Sequence, residues 1–83
     1  MAAAPPKKRS VTIAGHETSI ALEPVFWAAL ERAAEAERLP LNALVARIDA
    51  ERLEQVPPAN LASAIRQWLF ARSLGGPDDR FGE

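Results

Sequence analysis

The chain has 83 residues, an apolar fraction of 48% and a formal net charge of −1. Its length fits one small domain, which buries only about 60% of the surface that its unfolded chain exposes. The charge balance excludes a uniformly basic nucleic-acid binder, and the ordinary apolar fraction excludes disorder throughout. With no cysteine and one histidine, the chain lacks disulfides and the ligand set of a zinc site. We therefore expect self-association to supply additional burial, and no metal or cofactor.

Charge is distributed unevenly along the chain. The N-terminal segment is basic, with Lys7, Lys8 and Arg9, whereas residues 78–83 are mainly acidic. An anion-binding role must therefore come from local patches. No segment approaches the roughly 18 apolar residues of a membrane span, and the first ten residues lack the apolar core of a signal peptide. We expect a cytoplasmic protein without membrane contact.

Residues 1–8 have the composition of a flexible basic arm, and the next segment contains two short extended runs on either side of Gly15. The second run, residues 17–22, alternates in the manner of a half-buried strand. Its apolar side includes Ile20 and Leu22. One interpretation pairs the two runs as a hairpin. The other leaves the first run loosely ordered and the second as a single strand without a partner in its own chain.

The first helix is predicted from Pro24 to near Arg38. Proline suits the first helical turn because its missing N–H has no intrahelical acceptor there. The residue before Pro40 disfavours the helical region, which ends the helix. The second helix, residues 41–55, has apolar residues at the spacing of one buried face.

The third helix is predicted over residues 61–74, with Asn60 as its N-terminal cap. The linker before it contains two prolines, and glycines follow it. These boundaries predict three parts: a basic arm (1–8), a folded domain (9–74) and a disordered acidic tail (75–83). The arginines of the helices, Arg47, Arg66 and Arg72, are interpreted as solvated.

One strand followed by two amphipathic helices predicts a homodimer, in which the strand pairs antiparallel with its copy around a two-fold axis. The strand and the first two helices of both chains would then form a shared core. The residues predicted for this dimer core are Ile20, Leu22, Phe26, Trp27, Leu30, Leu44, Val45 and Ile48.

Three segments, RSVTIAGHETSIALEPVFWAAL, LPLNALVARID and NLASAIRQWL, resemble the ribbon-helix-helix family of DNA-binding proteins. The resemblance runs from about Arg9 to Leu74 and is narrower for a bacterial subfamily with a Thr-Ser strand, a Leu-Glu-Pro step and an extra C-terminal helix. It implies a mainly α fold with one short β-strand. It also implies an intertwined homodimer with an intersubunit antiparallel β-ribbon that enters the major groove of DNA.

The predicted DNA-binding set combines the basic arm, which leads directly into the strand region, with the strand hydroxyls and the start of the second helix, which the resemblance implies. Its members are Lys7, Lys8, Arg9, Thr12, Thr18, Ser19, Leu41 and Asn42. The arm would release counterions from phosphates, and the helix start would hold a phosphate through backbone N–H groups. Three residues depart from the family pattern. Glu17 and Ala21 stand where the family often has arginine, and Pro40 replaces a serine.

The sequence therefore predicts a small sequence-specific DNA-binding protein, a transcription regulator or the DNA-binding half of an antitoxin, associated with the nucleoid when bound to DNA. The alternative is a dimeric protein-interaction module, antitoxin-like, that keeps the fold and binds DNA weakly or not at all. The third helix either extends the dimer core or presents Trp68, Leu69 and Phe70 to a protein partner or a second dimer. No nucleophile, base and orienting group occur together, so we expect no enzyme. His16 is interpreted as a turn residue.

Overall fold

The computed structural model describes residues 4–75, which form a β-hairpin followed by three helices. The strands are β1 (Lys7–Ile13) and β2 (His16–Leu22), and the helices are α1 (Pro24–Glu37), α2 (Leu41–Leu53) and α3 (Leu61–Ser73). Strand β1 therefore begins inside the segment that the sequence assigned to the arm. The acidic tail predicted over residues 75–83 lies outside the described residues, apart from Gly75.

A two-residue turn closes the hairpin. Ile13 pairs with His16, which leaves Ala14 and Gly15 as the turn. Their φ angles are 52° and 83°, and two successive positive values define a type I′ turn, whose twist matches that of the flanking strands. Glycine adopts this conformation without strain, whereas alanine does so at a cost.

The hairpin interpretation is confirmed, and the prediction of a strand without a partner in its own chain is wrong. Strand β1 pairs with β2 along its whole length, from Lys7 opposite Leu22 to Ile13 opposite His16. A two-stranded ribbon is thus formed within one chain, because the tight turn brings two strands of equal length together. Pairing of a strand with its copy in a second protomer stays a prediction.

The hairpin has one apolar face. Val11, Ile13, Ile20 and Leu22 are buried, and they lie on the same side because alternate residues of a strand face the same way. Strand β1 packs beside α2, while β2 packs beside α1 and α3. The opposite face of the hairpin carries no large apolar side chain.

Local signals determine where the helices start and stop. The carbonyl of Glu23 accepts hydrogen bonds from the N–H groups of Phe26 and Trp27, at 2.8 and 3.1 Å, to begin α1. The helix ends one residue before Arg38, which has a φ of 59°. As predicted, the side chain of Asn60 caps α3 by accepting from the backbone N–H of Ser63 at 2.8 Å.

The core is complete within one chain. Seven of the eight residues predicted for the dimer core are buried there, and Phe26 is half-buried against them. Helix α3 adds Ala64, Ile65 and Leu69 to the same core. Strand β1 and helix α3 thus supply the burial that the sequence argument assigned to a second subunit, so these residues need no partner to leave water.

The turn gives a stability prediction. Asparagine tolerates positive φ better than alanine, whereas a β-branched residue is strongly disfavoured there. We expect Ala14→Asn to raise the free energy of unfolding by up to about 1 kcal/mol and Ala14→Val to lower it by about 1 kcal/mol or more. Urea unfolding at neutral pH measures both. A lower midpoint for the asparagine variant would contradict the type I′ turn.

The complete core gives a second prediction. A protein that needs its partner to fold unfolds at a temperature that rises with its concentration. We expect the thermal midpoint of this chain to stay constant between about 5 and about 200 µM, because dissociation of a dimer would leave the core intact. A clear rise over this range would mean that a second chain completes the core.

Candidate nucleic-acid interface

The solvent-facing side of the hairpin, here called the outer face, is built from alternate residues of both strands. Its members are Lys8, Ser10 and Thr12 of β1, and Glu17, Ser19 and Ala21 of β2. All are exposed except Ala21, which is half-buried. The sequence places small and polar residues at these positions, so the face remains in water while the other face joins the core.

The register arranges the outer face as three cross-strand pairs. Thr12 lies opposite Glu17 beside the turn, two serines face each other in the middle, and Lys8 lies opposite Ala21 at the far end. Successive pairs are about 7 Å apart along the strands. A two-stranded ribbon of this kind fits the major groove of B-DNA, and hydroxyl groups can donate to or accept from base edges.

The structure separates two of the strand residues predicted to contact DNA. Ser19 lies on the outer face, whereas Thr18 pairs with Val11 on the inner face and is half-buried. Ser10, which the sequence analysis did not select, lies opposite Ser19 instead. The hairpin register would have predicted Ser10 on the outer face, because this register follows once Gly15 is placed in a two-residue turn.

Lys8 and Arg9 lie on opposite faces of the hairpin, because successive residues of β1 face opposite ways. Lys8 belongs to the outer face, but the guanidinium of Arg9 lies 4.4 Å from the centre of the Trp27 ring. Its Nη1 donates to Oε2 of Glu31 at 3.0 Å. The indole Nε1 of Trp27 donates to the carbonyl of Lys7 at 2.8 Å. Arg9 therefore ties β1 to α1, and its charge is compensated.

The start of α2 offers backbone donors. The carbonyl of Pro40 accepts from the N–H groups of Ala43 and Leu44, at 3.0 and 3.1 Å. The N–H groups of Leu41 and Asn42 precede the first intrahelical hydrogen bonds, and no side chain caps the helix. Asn42 is exposed and Leu41 is half-buried.

The sequence analysis missed Arg38, just before this helix start. Its positive φ of 59° is unusual for a residue other than glycine, asparagine or aspartate. The side chain is exposed and makes no ion pair within residues 4–75. A cation three residues before the free N–H groups of α2 adds positive charge there. The sequence feature that could have indicated Arg38 is the presence of an arginine at a position where helices commonly end in glycine.

The three helix arginines interpreted as solvated each form an ion pair, with Glu37 of α1 or with Glu23, the residue before α1. Arg66 Nε lies 3.1 Å from Oε1 of Glu23, and Arg72 Nη1 lies 2.8 Å from Oε2 of Glu37. Arg47 Nη2 contacts the other oxygen of Glu37 at 3.4 Å. These pairs hold α3 and α2 against α1.

Few cations remain for an anionic ligand. Within residues 4–75, those without an ion pair are Lys7, Lys8, Arg32 and Arg38. The same part of the chain contains no group of three or more histidine, cysteine or acidic residues that could hold a metal ion. None of its helices is long and apolar enough to cross a membrane.

Hydrogen bonds lower the pKa values of two carboxylates, Glu37 and Glu23. Hydrogen bonds from Arg72 and then Arg47 lower the pKa of Glu37. A backbone hydrogen bond at Glu23 itself, followed by the hydrogen bond from Arg66, lowers the pKa of that side chain. Both groups therefore favour the ionised form in the folded protein.

The comparison with protein families matches a ribbon-helix-helix domain over residues 6–72, which include the hairpin and nearly all of α3. The chain belongs to the ribbon-helix-helix family. Members of this family commonly bind DNA as dimers, and the family is a regulatory fold rather than an enzyme family. The resemblance stated from the sequence motifs is therefore confirmed at the level of the family.

A solved structure supports the fold. The chain is similar to an uncharacterized protein from Bordetella pertussis Tohama I, with a TM-score of 0.71 and 26% sequence identity. The match covers 93% of this chain and 62% of that chain, so the present chain spans less than two thirds of its length. The comparison with curated proteins finds no match.

The ion pairs predict how stability depends on pH. The folded-state pKa of Glu37 lies below its unfolded value, so its contribution is present above the unfolded value and is lost as the pH falls through the folded one. We expect Glu37→Gln to lower the urea midpoint at neutral pH. We also expect this variant to lose less stability than the wild type between about pH 5 and about pH 3.

Glu35→Gln serves as the control, since Glu35 is an exposed carboxylate on the same helix and makes no ion pair within the described residues. It should follow the wild-type curve. Equal acid sensitivity of the Glu37→Gln variant and the wild type would exclude a stabilising role for the pairs with Arg72 and Arg47.

Proposed function

We propose that the chain binds double-stranded DNA through the outer face of its hairpin and regulates transcription. The observation that carries the proposal is a solvent-facing ribbon of small and polar side chains in a member of a DNA-binding family. Two antiparallel strands have the width that the major groove admits. The core lies wholly behind the ribbon, so DNA can approach this face without disturbing the apolar packing.

The middle of the ribbon is suited to contact with bases. Ser10, Ser19 and Thr12 present hydroxyl groups that donate or accept, and Ala21 offers a methyl group for contact with the methyl of thymine. None of these side chains makes a hydrogen bond within residues 4–75. Their hydrogen-bonding capacity is therefore open to a ligand.

Phosphate contacts come from positive charge and free backbone donors. Lys8 provides charge at one end of the ribbon, and Arg38 provides it beside the N–H groups of Leu41 and Asn42. The dipole of α2 adds to the attraction. Arg9 is paired with Glu31 and Thr18 lies on the inner face, so this arrangement does not use them.

A dimer would extend the ribbon rather than complete the core. The outer edges of β1 and β2 make no backbone hydrogen bonds to other elements of residues 4–75. Such an edge can pair with the strand of a second copy around a two-fold axis. A dimer of this kind would place the two strands that meet at the two-fold axis in the groove and would read a pseudo-palindromic site.

A second function is favoured by a different observation. Phe70 and Leu74 of the C-terminal helical region are exposed at 65% and 66%, one helical turn apart. Of the residues that the sequence offered for protein contact there, Leu69 is buried and Trp68 half-buried, so Phe70 alone is exposed. A protein-interaction module would use this surface and leave the outer face unbound.

Salt dependence of duplex binding tests the proposed function. Each neutralised phosphate contributes about −0.9 to the slope of log K against log salt. We expect the wild type to bind genomic duplexes more weakly at about 200 mM than at about 50 mM salt, and Lys8→Ala to reduce the slope by about one. Fluorescence anisotropy with a labelled duplex measures both quantities.

Arg32→Ala is the matched control for Lys8→Ala. Arg32 is an exposed cation without an ion pair in the described residues, but it lies on α1 rather than on the ribbon. Its removal should leave the slope unchanged. If no duplex binds at low salt, DNA binding is excluded and the protein-interaction module is the function that remains.

A further inference from the structure

An open groove separates α1 from α3, and no residue of the hairpin lines it. Its lining residues are Ala29, Arg32 and Ala33 of α1, and Leu69, Arg72 and Ser73 of α3. The two helices run in the same direction, because α3 pairs with Glu23 just before α1 through Arg66 and with Glu37 at the end of α1 through Arg72. The groove therefore follows both helices on a side of the molecule that the outer face does not share.

Large apolar side chains collect along this groove. Residues 4–75 contain five exposed large apolar residues, and three of them border it. Val25, which is 67% exposed, lies one helical turn before Ala29 on α1. Phe70 and Leu74 lie one turn apart on α3, with the groove residue Ser73 between them. Single exposed apolar residues are ordinary, whereas a group of them with a polar border marks an interaction surface.

The border of the groove is positively charged. None of its lining residues is a carboxylate, and Arg32 is exposed without an ion pair in the described part of the chain. At the end of α1, Arg72 and Arg47 share the single carboxylate of Glu37, so two guanidinium groups face one negative charge. This local excess of positive charge occurs in a chain whose net charge is −1, and it is complementary to an acidic occupant.

The spacing of the apolar residues fits a helical occupant. Phe70 and Leu74 are separated by four residues, which corresponds to about 6 Å along α3. Apolar side chains at positions i and i+4 of another helix have the same separation, and the groove between two packed helices receives the side chains of a third. A helix bound in this way contacts its groove through apolar residues on one face.

We infer that the groove between α1 and α3 binds an acidic amphipathic helix of a second protein. Its apolar face covers Val25, Phe70 and Leu74, and one of its carboxylates pairs with Arg32. The inference goes beyond DNA binding, and it specifies the class of partner for the protein contact considered above. Because the groove and the outer face share no residue, a partner bound here leaves the outer face open to DNA.

Selection from a display library tests the inference with the full chain as the target. The library consists of helical peptides of about 18 residues in which the positions of one face are randomised. We expect the enriched peptides to carry large apolar residues at i and i+4, with aspartate or glutamate beside them. Enrichment of basic or uncharged faces, or no enrichment, would contradict the inference.

Variants then locate the binding site of an enriched peptide. We expect Phe70→Ala to weaken binding about tenfold or more, because an aromatic side chain buried at an interface carries much of the binding energy. Arg32→Ala should weaken it about threefold and reduce its salt dependence, since exposed ion pairs contribute little. Leu53→Ala is the control for Phe70→Ala, because Leu53 is an exposed apolar residue of α2. Lys8→Ala on the hairpin is the control for Arg32→Ala, and both controls should bind as the wild type does.

The remaining outcomes separate other occupants and the proposed function from this inference. Equal peptide binding by Phe70→Ala and the wild type would overturn it. If Phe70→Ala dissociates a dimer in sedimentation, a second copy occupies the groove and the inference is also overturned. Failure to bind duplexes would overturn the proposed function alone, because the peptide experiment contains no DNA. Equal melting temperatures of the variants exclude loss of folding as the cause.

Discussion

The rest of the structure depends on the turn at Ala14 and Gly15. A two-residue turn fixes the register of β1 against β2, and a slip of one residue would exchange the two faces of a strand. With this register, Val11 and Ile20 lie toward the helices and the small polar side chains lie toward water. The same constraint therefore produces both the apolar floor of the core and the outer face proposed to bind DNA.

The packing of α3 against the rest of the chain pairs two arginines with carboxylates. Helix α3 buries Ile65 among the other helices, and arginine–carboxylate pairs from Arg66 to Glu23 and from Arg72 to Glu37 hold it in place. Arginines used in this way are no longer free to attract phosphates. These cations stabilise the packing of α3 and are not available to an anionic ligand.

The sequence correctly predicted helix boundaries that depend on neighbouring residues alone. The cap of Asn60 and the start of α1 at Pro24 follow from residue chemistry within one helical turn, and both are observed. The hairpin stayed one of two interpretations, because Ala-Gly lacks the asparagine or aspartate that usually marks a type I′ turn. The contact of Arg9 with Glu31 joins residues 22 positions apart, so no local pattern could reveal it.

Glu17 on the proposed DNA-binding face accompanies a small number of unpaired cations within residues 4–75. General attraction to phosphates holds a protein on any duplex, and the genome offers many more non-specific sites than specific ones. The ratio of specific to non-specific affinity therefore decides occupancy more than affinity alone. Compensation of Arg9 by Glu31 and the free carboxylate of Glu17 both reduce the non-specific part. In the proposed complex with DNA, contacts through Ser10 and Ser19 would not be reduced to the same extent, so weak general binding and selective recognition would arise from the same surface.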